Sequence, residues 1–384
     1  MGDPSDDHRN RRGGKRYPGD SPRLKDEPSL ARGEPTAGEI FGISDAASFE
    51  RLALEIFRFQ AAGCPVYREY ISLLGIKPEK VDSIFSIPFM PISFFRDHLV
   101  MTGGIEAERI FLSSGTAAMK GNAGATTNQS ESDGINHSGA ATVKRSRHAV
   151  KSLALYNESL ERTFRMFYGD PAEYAITGLL PSYLEREGSS LIYMTGRLMK
   201  LSANSAGGFF LNDHDALLEA IGKARGEGLK ILLIGVTFAL LDLAEKHPSD
   251  FRDVIIMETG GMKGRRREMI REEVHEILMR AFGVSAVHSE YGMTELLSQA
   301  YSQGGGLFRT PPWMKVLIRD SHDPMSHSDQ AGAAGGISVI DLANLWSCSF
   351  IATADLGRMH TGGLFEVQGR FDEADIRGCN LLVS

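Results

Sequence analysis

Residues 285–296 read SAVHSEYGMTEL, a short β-rich run that leads into Tyr291, Gly292, Thr294 and Glu295. A ring, a hydroxyl and a carboxylate within five residues after a strand can stack a flat base, touch a phosphate and hold a divalent cation. The same letters suit an ordinary helix start, with Thr294 and Glu295 in its first turn. Neighbouring sequence sets the context. Upstream, RIFLSSG (109–115), AEYAITGLLP (172–181), LKILLIGV (229–236) and DVIIMETGG (253–261) are β-rich, with helical stretches at 151–168 and 265–281 between them. That alternation predicts an α/β fold with a parallel sheet and crossover helices. Downstream, WMKVLIRD (313–320), GGISVIDL (335–342), SFIATADLG (349–357) and LFEVQGR (364–370) follow one another without long helices, which predicts a smaller, more antiparallel sheet.

The rest of the chain divides by composition. Residues 1–38 are rich in Gly, Pro, Asp and Arg and are read as a disordered N-terminal tail. A helical subdomain is expected over 39–105, because residues 47–74 carry apolar side chains at three and four spacing. The α/β domain then occupies 106–384. Within it, 117–145 has small and polar residues without hydrophobic period and is read as a mobile insertion. At 384 residues, with 42% hydrophobic and 24% charged side chains, the chain can bury a large core. Its net charge of −7 argues against a nucleic-acid partner, although GRRRE (264–268) is locally basic and is read as a solvated helix face. The longest apolar stretch, ILLIGVTFALL (231–241), is too short to span a bilayer. The first residues lack the apolar centre of a signal peptide, and three scattered cysteines form neither a disulfide framework nor a metal motif. A cytoplasmic protein is expected. Cys64 and Cys348 are read as core residues.

Two further motifs carry candidate chemistry. FLSSGTAAMKG (111–121) offers Ser113, Ser114, Gly115 and Thr116, whose hydroxyls and closely spaced N–H groups suit a phosphate, or simply a serine-rich turn. It matches neither the P-loop nor the dinucleotide fingerprint. ETGGMKG (258–264) places Gly260 and Gly261 after a strand, giving either room for a flat ring or a plain strand-to-helix turn.

Taken together, SSGT (113–116), GGMK (260–263), EYGMTE (290–295), TADLGR (353–358) and GRFDEADIRG (369–378) occur in the order and near the spacing of adenylate-forming enzymes. Within that superfamily the chain most resembles the LuxE-type acyl-protein synthetases of bacterial luminescence, through SSGT, PPWMKVLIRD (311–320) and the closing RGCNLL (377–382). The resemblance covers roughly 45–384. It implies the N-terminal-domain fold of adenylate-forming enzymes, with ATP and Mg2+ and activation of a carboxylic acid, there a long-chain fatty acid, as an acyl-adenylate. Ser113, Ser114, Gly115 and Thr116 would embrace the triphosphate. Gly260 and Gly261 would line the adenine slot, with Tyr291 and Gly292 against the base. Thr294 would bind the α-phosphate and Glu295 the metal, Asp355 would take the ribose hydroxyls, and Arg370 would be a second ribose contact.

The sequence also departs from the larger relatives. Asp372 falls where those place a hinge, so their C-terminal lid domain and its lysine are expected to be absent or vestigial; Lys263, Arg265 and Arg370 are candidate substitutes. The resemblance implies a thiol acceptor at Cys379, which would pass the acyl group to an acyl reductase or an acyl carrier. Arg377 would lower the Cys379 pKa if the fold brings them together, whereas CNLLV (379–383) also reads as a last core strand. Coenzyme A or a carrier-protein thiol is the alternative acceptor, and a nucleotide-binding protein without turnover is the alternative outside enzymology. His148, at the end of the insertion, is read as a solvated residue near a helix start or as a substrate contact.

Overall fold

The computed structural model describes residues 34–104, 106–114, 144–180, 188–211, 213–261 and 269–371. Of the tail expected over 1–38, residues 1–33 lie outside the described residues. Thr36 caps a short helix, α1 (Ala37–Phe41), by a reciprocal bond with Glu39. The insertion read over 117–145 and the basic run at 264–268 likewise lie outside them, save Lys144 and Arg145. So do Gly115, Thr116, Lys263, Arg265, Asp372, Arg377 and Cys379.

The amphipathic stretch of 47–74 forms two helices, α2 (Ala46–Gly63) and α3 (Pro65–Leu73). Pro65 ends the first and starts the second, because its ring removes a donor that only a first-turn position can spare. After β1 (Met90–Pro91) and α4 (Phe94–Asp97) come β2 (Arg109–Leu112) and β3 (Arg147–Val150). By its apolar content β2 groups with the parallel strands. It pairs instead with β3 in a separate two-stranded antiparallel sheet, Phe111 opposite His148.

The predicted alternation then follows: α5 (Leu153–Tyr168), β4 (Tyr174–Leu179), α6 (Ser190–Ser202), β5 (Gly208–Phe209), α7 (His214–Gly226), β6 (Lys230–Gly235), α8 (Thr237–Lys246), β7 (Val254–Glu258), α9 (Arg271–Phe282) and β8 (His288–Tyr291). These strands form a sheet in the order β5-β4-β6-β7-β8, parallel throughout, closed by antiparallel β9 (Ala300–Ser302). Strand β6 is a continuous apolar run because helices cover both faces. Side-chain oxygens of Ser152, Ser189 and Asp213 cap α5, α6 and α7, and α9 stops at Gly283 with φ of +68°.

The last strands, β10 (Leu307–Phe308), β11 (Met314–Arg319), β12 (His327–Ser328), β13 (Ala334–Asp341), β14 (Phe350–Met359) and β15 (Phe365–Arg370), make a second sheet in the order β10-β15-β14-β13-β11-β12. It is antiparallel as expected, with β1 added in parallel beside β14.

Helices α2 and α3 share one core with this second sheet, where Phe57, Tyr67 and Phe350 pack ring against ring. Cys64 and Cys348 are both buried there, as expected of core residues. Gln60 is the polar tie across that core. Its amide nitrogen donates to the carbonyls of Asn344 (2.9 Å) and Leu345 (3.0 Å) and to Ser349 Oγ (3.1 Å), and its oxygen accepts from Ser349 N–H (2.9 Å).

Gln60→Leu keeps the volume but leaves the buried Leu345 carbonyl and the Ser349 N–H unpaired, so it is expected to cost on the order of 3 kcal/mol. The check is a lower urea midpoint at unchanged slope; an unmoved midpoint would contradict the tie.

Candidate functional site

The segment Tyr291–Gln299 leaves the carboxyl end of β8, the position where open parallel sheets bind ligands, and side chains from four directions fix it. The Tyr291 hydroxyl donates to Asp355 Oδ2 in β14 at 2.9 Å. His148 in β3 bonds the Thr294 carbonyl through Nδ1 at 2.8 Å and Ser347 Oγ through Nε2 at 3.0 Å. Because a carbonyl can only accept, Nδ1 carries the proton and Nε2 accepts from the hydroxyl. Asn344 Nδ2 donates to the Glu295 carbonyl at 2.7 Å. Asp341 accepts from the N–H groups of Leu297 (2.8 Å) and Ser298 (2.9 Å) and from the Ser298 hydroxyl (2.6 Å).

The Glu295 carboxyl is buried beside Ser146. Burial raises its pKa; the nearby Ser146 hydroxyl and the field of Arg370 act the other way. Ser146 in turn pairs with Ser113. The Ser146 N–H donates to Ser113 Oγ at 2.9 Å and the Ser113 N–H donates to the Ser146 carbonyl at 3.0 Å. Arg145 Nε also reaches the Ser113 carbonyl, at 2.5 Å. Ser113 therefore has its N–H engaged, while its hydroxyl proton stays available to a ligand. Asp355 is 7% exposed and salt-bridged through Oδ1 to Arg370 Nε at 2.9 Å, its cross-strand neighbour in β15. The charge of Asp355 raises the Arg370 pKa.

Ser113, Tyr291, Thr294, Glu295, Asp355 and Arg370 thus gather in one place, drawn from the two-stranded sheet, the parallel sheet and the antiparallel sheet. Ser114 follows Ser113 in the same loop. Tyr291 is more enclosed than a base-stacking ring was expected to be: it packs edge-on against Phe308 and Phe365, with centroids at 5.9 and 5.4 Å. The Glu290 carboxyl lies close against Gly292: a Cβ on that glycine would meet Glu290 Oε1, the mobile end of a side chain that could shift.

Gly260 and Gly261 follow the carboxyl end of the adjacent strand β7. Their φ angles of +76° and +99° lie in the left-handed region, which explains the pair. The turn is anchored by Glu258, whose Oε1 accepts from Gly260 N–H (2.7 Å) and the Thr237 hydroxyl (2.5 Å), while Thr237 N–H donates to the Gly260 carbonyl (3.1 Å).

His148 is not solvated, contrary to that reading of it. It is 1% exposed, inside a strand and bonded at both nitrogens, and burial lowers its pKa to about 4. Ser146, Asn344 and Asp341 were not singled out in the sequence at all. No local pattern marks them, because each acts on a segment 40 or more residues away in the chain.

No protein-family model and no curated protein matches the sequence. Solved structures do resemble it. A crystal structure of 2-hydroxyisobutyryl-CoA ligase in the postadenylation state with 2-HIB-AMP superposes with a TM-score of 0.57 at 11% identity, over 85% of this chain and 68% of that one. The same ligase in an open conformation with 2-HIB-AMP and CoA gives 0.56 at 12%, over 86% and 77%. ATP-bound MatB from Rhodopseudomonas palustris gives 0.48 at 14%, over 69% and 48%, so the chain spans about half of MatB. The likeness is one of fold: an α/β adenylate-forming architecture of parallel and antiparallel sheets, corresponding to the N-terminal domain of such ligases.

The His148 geometry has a pH signature. Between about 6.5 and about 4 the unfolded chain binds a proton at His148 that the folded chain does not, so stability is full above that window and falls as pH drops through it. His148→Gln should remove on the order of 3 kcal/mol of that acid dependence. Denaturant midpoints of both proteins from pH 7 to 4 check this, and parallel curves would contradict it.

Proposed function

We propose that the protein activates a carboxylic acid with ATP, forming an acyl-adenylate and pyrophosphate, and then transfers the acyl group to a thiol. The observation carrying this reading is the gathering of Tyr291, Thr294, Glu295, Asp355 and Arg370, with Ser113 beside them, on an adenylate-forming fold: Tyr291 and Arg370 both bond Asp355, and Ser113 pairs with Ser146 next to Glu295. In the first step a carboxylate oxygen attacks the α-phosphorus and pyrophosphate leaves. Two anions must meet, so positioning and charge compensation supply the rate.

The residues fit the nucleotide. Asp355 spends one acceptor site on each oxygen, to Tyr291 and Arg370, and retains others for ribose hydroxyls. The Ser113 hydroxyl is assigned to the leaving phosphates, with Ser114 next to it in the chain; Gly115 and Thr116, which the resemblance gives the same role, lie outside the described residues. Gly260 and Gly261 present backbone to the base, and Tyr291 with Gly292 borders it. The Thr294 hydroxyl is assigned to the α-phosphate, on a backbone that His148 fixes.

Magnesium fits in one way. Among the described residues no three His, Cys, Asp or Glu side chains converge to hold a metal. Glu295 alone would then hold Mg2+ jointly with the phosphates, as Mg2+ commonly binds. A bound Mg2+ would supply charge neutralisation there. Its positive charge would also favour the ionised form that burial of Glu295 disfavours.

For the second step we favour coenzyme A or a carrier-borne thiol as acceptor. The 2-hydroxyisobutyryl-CoA ligase structures, which superpose with TM-scores above 0.5, are of a CoA ligase, and this supports a free thiol over Cys379.

Acid-dependent exchange of labelled pyrophosphate into ATP tests the first step. Glu295→Gln should lower it on the order of a hundredfold, the scale of losing one preorganised electrostatic group, while Asp355→Asn should chiefly raise the KM for ATP. Full exchange in Glu295→Gln would remove the assignment. For the acceptor, Cys379→Ser should retain thioester formation with coenzyme A or a carrier; loss of product, together with loss of covalently labelled chain, would instead favour the internal thiol.

A further inference from the structure

We propose that the acid activated at this site carries a protonated amine, received by Glu290, Gln299 and Tyr301. The inference rests on the proposed acid activation and names the substrate class. Glu290 and Tyr301 are cross-strand partners in β8 and β9, so their side chains share a face of that pair. Gln299, two residues before Tyr301, belongs to the same side: its Cγ lies 3.6 Å from where a Cβ on Gly292 would be, and Glu290 Oε1 crowds that point too.

All three present unspent polar atoms. Gln299 Oε1 and Tyr301 Oη, on residues 4% and 1% exposed, have no hydrogen-bond partner among the described residues. The Glu290 carboxyl is half-buried and takes no hydrogen bond or ion pair among them. Buried polar atoms are rarely left unpaired. A carboxylate, an amide carbonyl and a phenol oxygen together accept three hydrogen bonds. An ammonium donates three. Burial, and then repulsion from Glu258, push the Glu290 pKa up to about 8, which a bound cation would reverse. An aliphatic tail would leave all three groups unsatisfied. The position suits a substrate anchor, since Glu290 immediately precedes Tyr291 of the nucleotide cluster.

The test pairs acids that differ only by the amine: β-alanine, γ-aminobutyrate, ε-aminocaproate and L-phenylalanine against propionate, butyrate, caproate and hydrocinnamate. Pyrophosphate exchange and calorimetric binding are measured on the full chain. At least one amine-bearing acid should exchange tenfold or more faster than its neutral partner and bind in the calorimeter. Glu290→Gln, near-isosteric, should weaken that binding at least tenfold and narrow the preference, and Gln299→Met should do so by a smaller factor, with unfolding midpoints confirming that both variants fold. Exchange with neutral acids alone overturns this inference and leaves the ligase reading intact. Binding of an amine-bearing acid that depends on Glu290, without exchange by any acid, supports the pocket while the ligase reading fails. Absence of both, or a preference unchanged in Glu290→Gln, overturns the inference.

Discussion

The bonds from His148 and Asn344 to the Thr294 and Glu295 carbonyls are the constraint on which the site depends. Each comes from a different part of the chain, and both donor side chains are buried. They hold a segment outside any helix or strand in one conformation, which a loop at the edge of a sheet does not adopt unaided. Asp341 adds three bonds to Leu297 and Ser298, and its own burial raises its pKa against the pull of those donors. The Glu295 carboxyl is thereby placed by the backbone before any ligand arrives. Preorganisation of that kind is what electrostatic catalysis requires, because nothing has to be reoriented during the reaction.

The two large sheets have separate tasks. The parallel sheet supplies strand ends, at Glu258 and Tyr291, where turns and charged side chains collect. The antiparallel sheet supplies Asp355 and Arg370 from adjacent strands, and its far side buries α2 and α3 through Gln60. The small β2–β3 sheet bridges them: His148 reaches the Thr294 carbonyl, and Ser146, just before β3, lies beside Glu295. A disturbance in the helical core would therefore be felt at Asn344, which shares its backbone with the Gln60 tie and its side chain with Glu295.

Much of this was legible in the sequence, for physical reasons. The parallel strands announced themselves as continuous apolar runs between helices, and Tyr291 through Glu295 stood out because several functional groups were compressed into one turn. Asp355 and Arg370 could be paired only through resemblance, since their contact is a cross-strand register that no spacing rule gives. Strand β2 looked like its parallel neighbours because apolar content does not encode a pairing partner. His148 was harder still. A histidine beside a polar stretch looks solvated until the fold puts a carbonyl and a hydroxyl on its two nitrogens. Ser146, Asn344 and Glu290 gave no signal, as their roles arise from contacts distant in the chain or from what a neighbouring strand fails to supply.

The central claim is that three separate sheets form one nucleotide site around Glu295. Hydrogen–deuterium exchange with and without ATP and Mg2+ measures this directly. Peptides covering 109–114, 289–299 and 353–371 should all gain protection together, and the gain should shrink in Glu295→Gln. Protection confined to one of them, or none at all, would contradict a shared site.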